Sequence, residues 1–370
     1  MTQATLELTP APQPADAVDA VGFQIGWDHA HHGLVPPPEL LLDGTPLGQG
    51  WRAGKAVFGR RTLATGRATR QWLALRTLAW RLGITFEVQQ VTAHYVAQLQ
   101  AERCPVTRQR LGGAAGEPQA AVIERLNPHA GYAAGNLAAL SQQAVSARHQ
   151  VDVLEAVRRA RRATSSGEAV EGLDAGAWWR LAALRAFATP LPFHEAARLP
   201  LAVLPPNRVR LLNAPQGLQA LLTMQFLAPG WSARTRELAA MLPEHTLRHD
   251  FNLFVGAIAP RVLEAGSDPA RLRLALEDAW LNERVMRRWQ HFVLSLGEAG
   301  TTALLERAAA AGLAGVRTLT HAPEQATEGW ALAQGGRVPR VATVPVNPLW
   351  QRTADRRRTA RSPQAPVSRG

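Results

Sequence analysis

Asp28, His29, His31 and His32 fall within five residues of one another in Trp27-Asp28-His29-Ala30-His31-His32. A carboxylate beside three imidazoles offers hard and borderline donors to a divalent metal ion. Adjacent histidines point in different directions on any regular backbone, however, and no second ligand pair with zinc-like spacing stands elsewhere, so the expectation is a packing or surface role. A cationic group follows at Arg158, Arg159, Arg161 and Arg162, with Arg60, Arg61, Arg67 and Arg70 upstream. It reads equally as a set of phosphate contacts or as a solvated helix end favoured by the helix dipole. Gly112-Gly113-x-x-Gly116 lacks both a framing strand and helix and the Lys-Ser/Thr ending of a phosphate loop, and reads as plain loop. The run Asn-Pro-His-Ala-Gly-Tyr-Ala-Ala-Gly-Asn-Leu at 127–137 sets two glycines, a tyrosine and an asparagine at the spacing of a tight corner.

The elements that would position these groups follow from periodicity. Trp72, Leu75, Ala79 and Leu82 share one face of a helix that Gly83 ends, with Arg70, Arg76 and Arg81 off that face. Ile84, Phe86 and Val88 then alternate with polar residues, and Thr92 caps a short helix leading to Cys104. A strand is expected at 121–126, a turn at 127–132 and a second strand around 135–140. Ser141 then begins one long helix, through SQQAVSARHQVDVLEAVRRARRA. The second half reads as helices around 177–188, 215–227, 232–242, 247–265, 269–296 and 300–311. Asp268 and Pro269 form a cap and first-turn pair, and Trp280 and Trp289 lie on apolar positions.

At 370 residues the chain has ample apolar material for buried cores. Its one cysteine, Cys104, excludes disulfide frameworks and four-cysteine zinc sites and reads as a buried small residue. With no apolar run of about 18 residues, the expectation is a soluble, cytoplasmic protein that does not enter the membrane. The net charge is +12, carried by arginine with the single lysine Lys55, a skew that a GC-rich genome produces unaided. Its distribution is more informative, because residues 52–162 hold 17 basic against 6 acidic side chains, whereas residues 1–51 hold 6 acids and no Lys or Arg. The organisation expected is a disordered stretch at 1–20 and a basic region at 21–164, then a linker at 165–176, a helical domain at 177–335 and a disordered basic tail at 351–370.

Cys104-Pro105-Val106-Thr107, Val122-Ile123-Glu124-Arg125-Leu126-Asn127 and Gly131-Tyr132-Ala133-Ala134-Gly135-Asn136-Leu137, followed by a helix, resemble the HNH, or His-Me finger, nucleases. The branch is one found in phage and bacterial proteins, and the resemblance covers about 104–150, or 104–163 with the whole helix. It implies an α+β chain, in which a small ββα finger with flanking helices precedes an all-helical domain. It also implies DNA as partner and, in an active member, a magnesium, manganese or nickel ion that stabilises the leaving oxygen while an imidazole activates water.

Carried over by position, Asn136 matches the structural asparagine, Gly131 and Gly135 the turn glycines and Tyr132 the corner aromatic. Glu124 stands where the family has a metal-binding aspartate, Arg125 where it has the base histidine and Val145 where it has a ligand on the helix. Arg148 matches a trailing basic residue. A displaced site would use Glu124 and His149 as ligands and His129 or His149 as base, with Arg125 beside them. The alternatives are a cofactor-free finger kept as scaffold in a nucleic-acid-binding protein, and a helical half that meets a protein partner.

Overall fold

The computed structural model describes residues 14–147, 151–313 and 323–338. Helices dominate and one two-stranded antiparallel sheet interrupts them, which places the chain in the α+β class. No helix among the described residues is long and apolar enough to cross a membrane.

The first helices are α1 (Pro14–His31), α2 (Pro46–Phe58) and α3 (Arg67–Leu82). Thr45 starts α2 by accepting from Gly48 N, and Gly83, in the left-handed conformation, ends α3. The end of α1 carries the Asp-His cluster, whose side chains diverge to separate partners. Asp28 pairs with Arg76, whose guanidinium lies 4.6 Å from the centre of the Trp72 ring. His31 stacks on Phe58 at 4.3 Å, and His29 Nε2 lies 3.2 Å from Thr77 Oγ1. His29 is buried and its Nδ1 finds no hydrogen-bond partner among the described residues, so a proton there would be uncompensated.

Burial, assisted by Arg76 and His32 and opposed by Asp28, lowers the His29 pKa to about 4. Between its unfolded value of 6.5 and about 4, the unfolded chain therefore binds a proton that the folded chain refuses. The stability from a neutral His29 is complete above this window and falls by roughly 2–3 kcal/mol as pH drops through it. His29→Gln, followed by urea unfolding at pH 7.5 and pH 4.5, is expected to lose correspondingly less stability on acidification than the parent chain. Equal losses would contradict this assignment.

After α3, Ile84 bridges to Arg337 and Phe86 to Tyr132. α4 (Ala93–Gln98) is capped by Thr92 and leads to the Cys104 turn. β1 (Ala121–Arg125) pairs with β2 (Leu137–Ser141), Ala121 opposite Ser141 and Arg125 opposite Leu137. All five residues of β2 are buried, against Ile123 alone in β1.

The long helix expected from Ser141 is instead two. α5 (Gln142–Ser146) stops at the Ala147 cap, and α6 (Val153–Ser166) starts afresh at Asp152, whose extended backbone and carboxylate, 2.7 Å from Glu155 N, make it an N-cap. Such a cap is worth about 1 kcal/mol. Ala156, Ala160 and Ala163 then bury one face of α6 against α7 (Ala175–Phe187), which lets the two helices pack closely.

The remaining elements are α8 (Phe193–Ala196), α9 (Ala214–Leu227), α10 (Trp231–Ala240), α11 (His245–Ala265), α12 (Pro269–Ala279), α13 (Glu283–Ala310) and α14 (Pro323–Ala326). The helix expected over 269–296 is broken at Trp280–Asn282. Asn282 caps α13 by accepting from Arg284 N and Val285 N, and Trp280 turns inward, edge-on to Trp289 at 5.4 Å, with its Nε1 donating to Thr223 Oγ1. One buried cluster runs from Cys104, Val106 and Leu126 through Trp178 and Trp289 to Trp330. Two buried arginines of α7 reinforce it, Arg180 donating to Val106 O at 2.6 Å and Arg185 to Leu126 O at 3.2 Å. The hairpin therefore rests on the helical half through both apolar contact and directed hydrogen bonds.

Candidate functional site

The corner between β1 and β2 is organised by two asparagines. Asn136 is 0% exposed; its Oδ1 accepts Asn127 N–H at 2.7 Å, and its Nδ2 donates to Asn127 O at 3.1 Å and Gly131 O at 3.0 Å. Asn127 extends the network by accepting from His129 N and donating to Ala188 O. Gly131 is required by proximity, since a Cβ there would lie 2.1 Å from Thr85 Oγ1. Gly135 is required by conformation, with φ +92°, and its N–H donates to the Tyr95 hydroxyl at 2.8 Å. Tyr132 is buried, its N–H bonded to Thr85 O and its carbonyl to Glu87 N.

A segment far away in sequence closes over this corner. Trp330 O accepts Gly131 N–H at 2.7 Å, and the buried Trp330 indole donates to Ala134 O at 3.0 Å. Gly336 O accepts from Thr85 N, and Val338 N donates to Gly83 O.

The positions with chemical potential behave differently from one another. Arg125 Nη1 donates to Pro128 O at 2.9 Å and Ala130 O at 2.7 Å, and the guanidinium lies 5.1 Å from the centre of the Tyr132 ring. It clamps the loop, and as a group with donors only it cannot accept a proton from water. Glu124 Oε1 accepts Arg125 N–H at 2.9 Å and lies 3.8 Å from Arg125 Nε. His129 is exposed on the turn, and Val145 is half-buried against the core. Arg148 and His149 lie outside the described residues. Among the described residues no three His, Cys, Asp or Glu side chains gather as a metal-binding group; of the expected ligand pair, Glu124 and His149, only Glu124 is described. Cys104 is buried, and its Sγ accepts from Ser141 N and Ser141 Oγ.

The α6 arginines also divide. Arg159 pairs with Glu155 and Glu171 and lies 5.0 Å from the Trp178 ring centre, which makes it a structural tie to α7. Arg158 is exposed and pairs with Glu155, whereas Arg161 and Arg162 are exposed and form no ion pair among the described residues.

Sequence reasoning missed Thr85, Arg180, Arg185 and Trp330 as parts of this frame. Arg180 and Arg185, one and a half turns apart on an otherwise apolar helix, were a usable signal, because arginines on such a face need buried acceptors. Comparison with protein-family models, with curated proteins and with solved structures finds no match for the chain.

Proposed function

We propose that the chain is a divergent HNH-type protein that contacts DNA, with β1, β2 and the helices that follow serving as an architectural finger. The observation that carries this reading is the contrast within the corner. Asn136 makes the complete set of hydrogen bonds of a loop tie, while Arg125, in the position the resemblance gives to a base, is committed to two loop carbonyls. Arg161 and Arg162, exposed on the helix leading from the hairpin, support a role in neutralising phosphates.

The test is binding of a DNA duplex by the full chain across a salt series. Each phosphate neutralised contributes about −0.9 to the slope of log K against log salt. Arg161→Ala combined with Arg162→Ala is expected to make that slope shallower by about 2 while leaving the unfolding transition in place. Affinity indifferent to salt, or none near 50 mM salt, would remove the reading. Plasmid nicking with magnesium, manganese or nickel that Glu124→Ala abolishes would replace it with metal-dependent phosphodiester cleavage.

A further inference from the structure

A cleft of about 620 Å³ opens beside the corner, with Tyr95, Ala134, Gly135, Arg208, Arg210 and Arg273 among the residues that line it. Its volume is within the roughly 300–1,000 Å³ typical of small-molecule sites. No carboxylate lines it among the described residues. Arg210 is held in place: its backbone N–H donates to Gly135 O, Nη1 to Ala326 O at 2.7 Å and Nη2 to Gln90 Oε1 at 3.0 Å, so it is oriented yet keeps further donors. Arg273 donates to the buried Glu277 carboxylate at 3.1 Å, which also accepts from Leu204 N; Arg108 reaches Glu277 at 3.3 Å but pairs chiefly with Asp278, at 2.7 and 3.0 Å, so Arg273 is ion-paired while its side chain stays half-exposed. Arg208 is exposed, with no side-chain hydrogen bond or ion pair among the described residues, and stands at φ +67°, where glycine is the comfortable residue. Tyr95 adds a neutral donor, because its oxygen already accepts from Gly135 N and burial raises its pKa, keeping the phenol protonated.

Two guanidiniums without an ion pair among the described residues, Arg208 and Arg210, with the half-exposed Arg273 on the same concave surface, call for an anion with several acceptor oxygens, which is the chemistry of phosphate. Beside the polar Gln90 and Asn207, the wall carries the apolar side chains of Pro205, Pro206, Val209 and Met224, which suit a flat ring. We infer that this cleft binds a nucleotidyl phosphate, the phosphate held by Arg208, Arg210 and Arg273 and the base lying against Pro205, Pro206 and Met224. The shared chemistry has two sources, a free mononucleotide and the 5′-phosphorylated end of a strand. The inference stands apart from the finger reading, since none of these residues belongs to the basic face of α6.

The test is titration calorimetry on the full chain with adenosine 5′-monophosphate, adenosine, and a short oligothymidylate with and without a 5′-phosphate. The expected result is at least about tenfold tighter binding of each phosphorylated probe than of its unphosphorylated counterpart. Arg208→Gly, which relaxes the backbone, should weaken the phosphorylated probes about tenfold with no fall in Tm, and Arg273→Gln should weaken them as well. Tighter binding of the oligonucleotide than of the monophosphate identifies a strand end, and the reverse identifies a free nucleotide. Absence of binding, no preference for the phosphate, or full affinity in both variants would overturn the inference. Arg161→Ala with Arg162→Ala should leave monophosphate binding intact, so loss of duplex binding alone would count against the finger reading and not against the cleft.

Discussion

Asn136→Ala is expected to lower the unfolding free energy by about 3–5 kcal/mol, a large effect for removing one amide. The side chain is fully buried, and its removal strands Asn127 N–H and Gly131 O, while Asn127 O keeps only its bond from Ala130 N. Each stranded group loses about 1–3 kcal/mol of compensation. Local relaxation is limited, because Gly131 is wedged against Thr85 and Gly135 against the Arg210 side chain. Urea unfolding should show a lowered midpoint with an unchanged slope. Asn136→Asp should not rescue it at pH 7, because it keeps the acceptor for Asn127 N–H and sets carboxylate oxygens against two carbonyls. A loss below about 1 kcal/mol for Asn136→Ala would mean that the corner holds without its tie.

Trp330→Ala should be comparably damaging, by about 3–5 kcal/mol, through the cavity left by a fully buried indole and the loss of its bond to Ala134 O. Trp330→Phe separates the two causes, since it keeps most of the volume and forfeits only the hydrogen bond, with an expected loss of about 1–2 kcal/mol. The consequence reaches beyond global stability. Residues 323–338 touch the corner through Trp330, Gly336 and Val338, so Trp330→Ala should also expose Thr85 and Gly131. Limited proteolysis checks this: new cleavage near residues 323–338 in Trp330→Ala but not in Trp330→Phe is the expected pattern, and identical digestion of the two variants would contradict it.

What was legible in the sequence was local. The helix α3 and its glycine stop, the Thr92 cap, the strand β1 and the glycine-asparagine spacing of the corner each act within a few residues, whereas the face α3 buries is shifted from the expected one, with Leu82 exposed and Arg76 buried against Asp28. Two helix breaks were not legible, because Asp152 and Asn282 sit in stretches whose helical period continues across them and only their capping bonds show that the chain restarts, whereas the break expected between 296 and 300 falls at Gly297, where φ is +72°. The partners of the corner were least legible of all. Trp330 lies 196 residues from Ala134, and Arg185 lies 59 from Leu126, so no local pattern records that they meet. The three arginines of the cleft come from two segments far apart in sequence, and Arg208 announces itself only through its backbone conformation. At Arg125 the sequence offered an arginine where the resemblance led one to expect a base, and the structure shows it bonded to two loop carbonyls.

If the corner is a frame, the hairpin loop should be as rigid as the core beneath it. Amide hydrogen exchange measures this directly at Leu126, Asn127, Gly131, Tyr132 and Gly135, whose N–H groups are bonded to Asn136 O, Asn136 Oδ1, Trp330 O, Thr85 O and the Tyr95 hydroxyl respectively. The predicted result is protection matching that of the buried amides of α7, lost together on global unfolding. Exchange of these five amides at the rates of an open loop, while α7 stays protected, would contradict it.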